Sequence, residues 1–419
     1  MTERLYYSDS HLTNFNARVV AVADDAQGRP AVTLNRTAFY PTGGGQPSDI
    51  GTLGAARVVE CVDLGADGVR HVIEGDVPAI GAEVAGSIDW PRRLDHLQQH
   101  TAQHILSQSL IELFNAETRG FRIMERASEI DVALTDPSDE RIERAVDLAN
   151  RIVWEDRSIR VRHVTTEQAA ALPLRKEPTR AGTLRVIEIE GFDLNACGGT
   201  HARRTGEVGI IAVSRWERAK GMTRIEFVAG GRALTDYRHA NRTARDVAAI
   251  FSVARDESPA SVARLLEENK TLLRRTRALE EIAARVEAEE IINADSVRHH
   301  DGSRIVTPIF DGRDAESLKR LALALAAHPR TVAILGSRDG DHSRLAFARS
   351  VDAGGDMGAL MREACAMLDG RGGGRPDTAQ GGGRHTEKLE AAIEAATRRL
   401  LNAPDAHAPA RAPAECNRK

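Results

Sequence analysis

Aromatic residues are scarce in this sequence, at 4% of 419 residues. Its cores must therefore be filled by Ala, Val, Leu and Ile rather than by large rings. Cysteine is scarcer still, with four (Cys61, Cys197, Cys365, Cys416) spread far apart. That spacing excludes a disulfide framework and points to a reducing compartment. No apolar run approaches the ~18 residues that a membrane-crossing helix needs. The opening MTERLYYSDS lacks the basic-then-apolar pattern of a secretory signal. A cytoplasmic protein without membrane contact is expected. A strong charge of one sign is also missing, since the net charge is −4 and the pI is near 6.4. That argues against bulk, nonspecific nucleic-acid binding but leaves room for a local basic patch.

What is present is the composition of a globular chain, 42% hydrophobic and 28% charged. The length suits two or three domains. The expected fold class is α+β. Residues 1–90 read as β-rich and barrel-like, with short alternating runs such as Ala17–Val22 broken by Gly and Asp turns. The period changes at 91–115, where Leu97, Thr101, His104, Ile105, Gln108 and Ile111 recur at three and four, a helix signature. A second helix is expected over 138–154, with strands at Leu184–Glu190, Gly209–Arg215 and Thr223–Val228. Together 91–255 form a second, α+β domain.

A long helix is expected over 258–292, capped by Ser258 with Pro259 in its first turn. Leu265, Leu272, Leu279 and Val286 recur at seven along it, with Val262, Asn269, Thr276 and Ala283 at the other seam position. The pattern fits a dimer seam, an antiparallel hairpin, or a linker helix (256–293) packed on its own domain. Residues 294–402 then read as an α/β domain: strands Arg304–Phe310, Thr331–Gly336 and Arg344–Ser350, helices Ala315–Ala327 and Met357–Leu368, and a last helix from about Glu387. The glycine runs Gly372–Gly374 and Gly381–Gly383 read as loops whose N–H groups, with Arg371, Arg375 and Arg384, are suited to cradle an RNA backbone. The Ala- and Pro-rich 403–419 reads as a disordered tail.

The chemistry lies in two pairs. His100 and His104 are four apart on a helix, so both imidazoles reach one face. Cys197 and His201 are also four apart, around two glycines that let a loop turn both inward. Either pair alone is weak. Both in one domain supply three imidazoles and a thiolate, donors suited to one Zn²⁺ per chain. An H-E-x-x-H protease motif is absent. Four protein ligands would make a closed structural site, and three with a water an open catalytic one; the sequence leaves both open.

The stretches Leu94–Ser107 and Asn195–His201 resemble the editing domain of alanyl-tRNA synthetases and of free-standing alanyl-tRNA editing proteins. Phe39–Asp49 is similar to the glycine-rich motif of that family, and Lys220–Phe227 to its late strand. The glycine-rich 371–383 resembles the DHHA1-type domain, shared with DHH-type phosphoesterases, that follows editing in the full synthetase. The resemblance implies that 91–255 is a zinc-bearing editing domain. The implied reaction is hydrolysis, in trans, of the ester joining serine, with glycine as a second candidate, to alanine tRNA. Aminoacylation is not expected, because the chain begins at the editing region.

The resemblance places Gln46 at the pocket as a candidate catalytic residue, its amide available to the substrate. Thr101 is a second candidate, beside His100 on the helix. For tRNA binding, Arg203, Arg204, Arg215, Arg218, Lys220 and Arg224 outnumber Glu207 and Glu217 over 203–224. Lys220 and Arg224 are the named candidates there, with Arg371, Arg375, Gly372, Gly373 and Gly382 in the last domain. The rivals are a structural-zinc tRNA-binding module without turnover, and editing of another mischarged tRNA such as serylated threonine tRNA. A phosphoesterase is disfavoured by the lack of a D-H-H motif or carboxylate cluster. A homodimer through 258–292 or the C-terminal domain is a further expectation.

Overall fold

A computed structural model describes residues 2–175, 182–294 and 297–402. The expected disordered tail, 403–419, lies outside the described residues. The chain divides into two compact units between Arg255 and Asp256.

The first unit opens with a closed antiparallel barrel. Around it run Asn14–Asp24, Pro30–Leu34, Val69–Glu74, Ala56–Asp63, Gly51–Leu53 and Glu83–Ile88. Alternation builds it: Phe15, Ala17 and Val19 point inward between exposed neighbours and meet Leu34, Val58, Val69 and Ile88 in the core. Helix α1, Trp90–Phe114, follows directly. Asp89 caps it by accepting from Arg92 N at 3.1 Å, Pro91 sits in its first turn, and Asn115 ends it in the left-handed region at φ 52°. Most of α1 from His96 to Leu110 is buried, so it is a central helix rather than a surface one.

Around α1 lie helix α2, Asp139–Trp154, and a four-stranded antiparallel sheet in the order Ile211–Ala219, Met222–Ala229, Ser128–Val132, Thr118–Ile123. Leu106, Leu110, Ile130, Ile142, Ala149, Ile225 and Phe227 form the shared core. A separate three-stranded sheet, Ile159–Val164, Leu184–Ile189 and Asp193–Ala196, flanks the short helix α3, Thr166–Ala170. Helix α4, Gly231–Phe251, closes the unit.

One buried ion pair ties barrel to helix. Arg93 on α1 and Asp49 after the glycine-rich turn are 0% and 1% exposed and meet at 2.5 Å. Arg93 also donates to Ser10 O at 2.7 Å and Ala38 O at 2.6 Å. The glycine-rich turn is fastened from its other side, since Ile123 N donates to Gly45 O at 2.7 Å. Gly45 has φ +81°, and a Cβ there would lie 2.3 Å from Phe121 O. Only glycine lets the turn approach that strand.

In the second unit, helix α5, Ser258–Ile292, begins one residue earlier than expected: its N-cap is Glu257, with Ser258 the first helical residue and Pro259 in the first turn. Its end, Ala288 and Ile292, packs with Leu318, Leu321 and Leu325 of helix α6, Ala315–Ala326. Further back it is bare, with Leu265, Leu272, Leu279 and Val286 between 50% and 62% exposed. The helix is thus packed on its own unit at its C-terminal end and exposes its heptad leucines before that.

The seven-stranded sheet runs Arg298–His300, Ser303–Val306, Thr331–Asp339, His342–Arg349, Thr378–Gly383, Arg371–Gly374, with Ile309–Asp311 also beside Thr331–Asp339. The expected strand Arg304–Phe310 is thus broken in two around Thr307 and Pro308. Helices α7, Met357–Met367, and α8, Leu389–Leu401, pack with the sheet in one core. The glycine runs are corrected from loops to a paired β-hairpin. Close packing explains it: a Cβ on Gly372 or Gly381 would lie 2.6 or 2.4 Å from Cys365 Sγ of α7. The ladder engages backbone groups that an RNA cradle would need, Gly382 being paired with Arg344 on one side and Arg371 on the other.

Candidate metal centre

His100 and His104 lie one turn apart on α1, their ring centroids separated by 5.5 Å. The strand Asp193–Ala196 delivers Cys197, whose N–H donates to Arg185 O at 3.0 Å and extends the sheet by one bond. The chain then turns through Gly198 and Gly199 to His201, whose N–H donates to Ser10 Oγ at 3.3 Å. The four donor atoms all lie within 4.8 Å of one another. Cys197 Sγ is 3.4 Å from His100 Nε2 and 3.3 Å from His201 Nε2.

Each imidazole is held by its other nitrogen. His100 Nδ1 meets Gln46 Oε1 at 2.8 Å, His104 Nδ1 meets Asp193 Oδ2 at 3.0 Å, and His201 Nδ1 faces Thr101 Oγ1 at 3.4 Å. With Nδ1–H donated outward, each Nε2 is left with its lone pair, the arrangement that metal-binding histidines require. Burial opposes charge on Cys197, but the neighbouring His100 and His201 outweigh it and hold the thiol well below its ordinary range. Burial likewise holds His201 well below the usual histidine value. A thiolate at Cys197 and a neutral ring at His201 suit metal binding, whereas at His104 burial is outweighed by the Asp193 hydrogen bond, which raises the pKa. The donor set, its convergence and its outward hydrogen bonds all fit a resident ion, and this group could hold one.

Three of the four residues, His100, His104 and Cys197, border a cavity of about 660 Å³ also walled by Tyr7, Gly43, Phe121, Arg175 and Arg185. Gln46 and Thr101 are not on its wall. Gln46 is 1% exposed, its Oε1 also accepts from Thr200 N at 3.2 Å, and its Nε2 donates to Thr200 Oγ1 at 2.8 Å. Both ends of the amide are thus engaged, in contrast to the direct substrate contact expected. Thr101, fully buried, accepts from Ala202 N at 3.1 Å. Both residues instead contact rings of the histidine group, Gln46 that of His100 and Thr101 that of His201.

Sequence reasoning missed Asp193, Arg175 and Arg185. Asp193 is buried and binds Arg175 Nε at 3.2 Å through Oδ1 while holding His104 through Oδ2. A carboxylate in the strand that delivers the cysteine was the available signal.

The basic candidates are mostly spoken for. Arg224 binds Asp131 at 2.8 and 3.1 Å, which commits the charge that was expected to meet a phosphate. Arg203 pairs with Asp9, Arg204 with Asp156 and Arg215 with Glu226, at 2.9, 2.6 and 3.5 Å. Among the described residues Lys220, in a turn at φ 51°, has no ion pair. In the second unit Arg375 lies 3.5 Å from Asp377, Gly373 is paired with Gln380 though a Cβ on it would meet nothing within 4 Å, and Arg371 and Gly382 border a cleft of about 350 Å³.

Fold and site together define an α+β domain whose helix supplies two histidines and whose loop supplies a cysteine and a histidine. Residues 184–226 match the threonyl and alanyl tRNA synthetase second additional domain, and 301–402 match the DHHA1 domain. The chain is 30% identical over 94% of its length to an alanine–tRNA ligase of Methanobrevibacter smithii, covering 45% of that protein. It is 34% identical over 91% to that of Pyrobaculum neutrophilum and 32% over 91% to that of Archaeoglobus fulgidus, covering 42% of each. The C-Ala domain of Aquifex aeolicus alanyl-tRNA synthetase, a solved structure, matches 26% of the chain and 99% of its own at 26% identity and a TM-score of 0.24. The chain is thus similar to the second additional and DHHA1 domains of the alanyl-tRNA synthetase family, and it spans less than half the length of the curated relatives it matches. No helix among the described residues is long and apolar enough to cross a membrane.

Proposed function

We propose that this chain hydrolyses the ester of serine wrongly attached to alanine tRNA, at a site holding one Zn²⁺ through His100, His104, Cys197 and His201. The observation that carries the reading is the set of three outward-held imidazoles beside a low-pKa thiol, at the wall of a cavity large enough for an aminoacylated ribose. When bound, zinc supplies fixed positive charge that polarises an ester carbonyl or a water.

The rest is the work of this chain's own residues. Gln46, Asp193 and Thr101 fix the three imidazoles, so the donors need no rearrangement when substrate arrives. The cavity wall orients the ester, and an activated ester asks for little more than a positioned water. Its size limits the side chain admitted, and glycine is a second substrate candidate. Lys220, whose ammonium has no ion pair among the described residues, is the proposed phosphate contact in the first unit, with Arg371 serving in the second.

The test is release of amino acid from serylated and from correctly alanylated alanine tRNA, side by side. Fast loss of serine with little loss of alanine is expected. Equal rates with and without protein for the serylated tRNA would overturn the reading.

A further inference from the structure

Among the described residues of the first unit two arginines are buried, Arg93 at 0% and Arg185 at 8% exposure. Arg93 faces the Asp49 carboxylate. Arg185 has no such partner, and among the described residues no carboxylate lies within ion-pair distance of it. Its Nε donates to Tyr7 O at 3.1 Å, and its Nη1 donates to Cys197 O and Gly199 O, both at 2.8 Å. Its Nη2 is buried with no hydrogen-bond partner. The guanidinium carbon lies 5.5 Å from the Tyr7 ring centroid, and the residue borders the cavity beside the metal centre.

A buried guanidinium with one edge unsatisfied is costly unless something meets it. Carbonyls and a ring compensate part of the charge. The cavity it borders therefore has on this side a cation with an unmet donor.

We propose that Arg185 binds a phosphate oxygen of the substrate's terminal nucleotide through Nη2. This rests on the editing reading. An aminoacyl nucleotide brings one cation, the α-ammonium, and anions only in its phosphates. A guanidinium repels the first and hydrogen-bonds the second strongly. Arg185 thus marks the nucleotide side of the cavity. Because Nη1 grips the two carbonyls flanking Gly198, the turn that presents Cys197 also sets the phosphate contact, and the ester is placed in register with the metal centre.

The test uses the full chain and a non-hydrolysable probe, 3′-deoxy-3′-serylamino-adenosine, with and without a 5′-phosphate, bound in calorimetry to wild type, Arg185→Gln and Arg185→Lys. In wild type the phosphorylated probe should bind about tenfold tighter or more, the range for a hydrogen bond to a charged group. That preference should vanish in Arg185→Gln and largely survive in Arg185→Lys. A preference kept in both variants, or lost in both, would show that Arg185 only braces the Cys197–Gly199 turn and overturn the assignment. Wild-type binding of both probes without preference would do the same and leave the editing reading standing. Binding of neither probe would overturn both.

Discussion

Gly199 lies so close to His100 that a Cβ there would sit 2.1 Å from Cε1 of the ring. The ring cannot yield freely, because it is buried and its Nδ1 is held by Gln46 at 2.8 Å. Glycine in the Cys197–His201 loop is therefore a condition for the loop ligands to meet the helix ligands. Gly199→Ala should push His100 off the position shared by the four donors. We expect zinc affinity to fall by about tenfold or more, the scale seen when a ligand loses its orientation. Chelator competition measures it, and unchanged affinity would contradict the packing argument.

Asp193 serves two partners, His104 Nδ1 at 3.0 Å and Arg175 Nε at 3.2 Å. Asp193→Ala should leave His104 free to rotate and a largely buried guanidinium without its carboxylate. Zinc affinity is expected to drop ~10–100-fold, together with a lower melting temperature. Asp193→Asn, which still accepts a hydrogen bond, should recover part of the affinity. Equal zinc affinity in both variants and wild type would show that Asp193 does not orient His104.

The Arg93–Asp49 pair is almost wholly shielded, at 0% and 1% exposure. Asp49→Ala leaves Arg93 buried without its counter-charge and removes the acceptor of Tyr40 N. Breaking such a pair costs about 3–5 kcal/mol. Urea unfolding should show that loss, and a shift within experimental error would mean that the barrel–helix junction is held by packing alone.

His71 links barrel stability to pH. It is fully buried between Thr37 Oγ1 at 2.8 Å and Val32 O at 3.2 Å, and burial lowers its pKa from 6.5 to about 4. In the unfolded chain it takes up a proton near 6.5, whereas in the folded protein it resists down to about 4. Its contribution is thus intact above 6.5 and is lost as pH falls from 6.5 to about 4. The loss amounts to about 3 kcal/mol at 1.36 kcal/mol per unit. Unfolding free energies of wild type and His71→Gln across this window should converge at the acid end. Parallel curves would exclude His71 as the source.

Local pattern made part of this legible in the sequence. Periodicity at three and four marks α1 and with it the helix pair His100 and His104, and C-x₃-H with intervening glycines marks the other half of the site. The strands Thr118–Ile123 and Ser128–Val132 escape notice because arginine, aspartate and glutamate interrupt their alternation. Those charges pair across the sheet, Arg122 with Glu129 and Arg224 with Asp131. Such pairings join residues up to 93 apart, which no local window can see. For the same reason Gln46 reads as a free amide until the fold brings Thr200 and His100 to it. The second glycine run misleads differently: low β-propensity argues for loops, but the close approach of Cys365 admits only glycine in the hairpin beneath it.

The measurement that tests the central claim most directly is zinc per chain and the rate of serine release from serylated alanine tRNA, read on the same samples as metal is removed by chelation and restored. Wild type is expected to hold about one zinc per chain. Serine release should fall in proportion to zinc lost and return when zinc is added back. Cys197→Ala should lack both. Full serine release from a protein stripped of zinc would contradict the account.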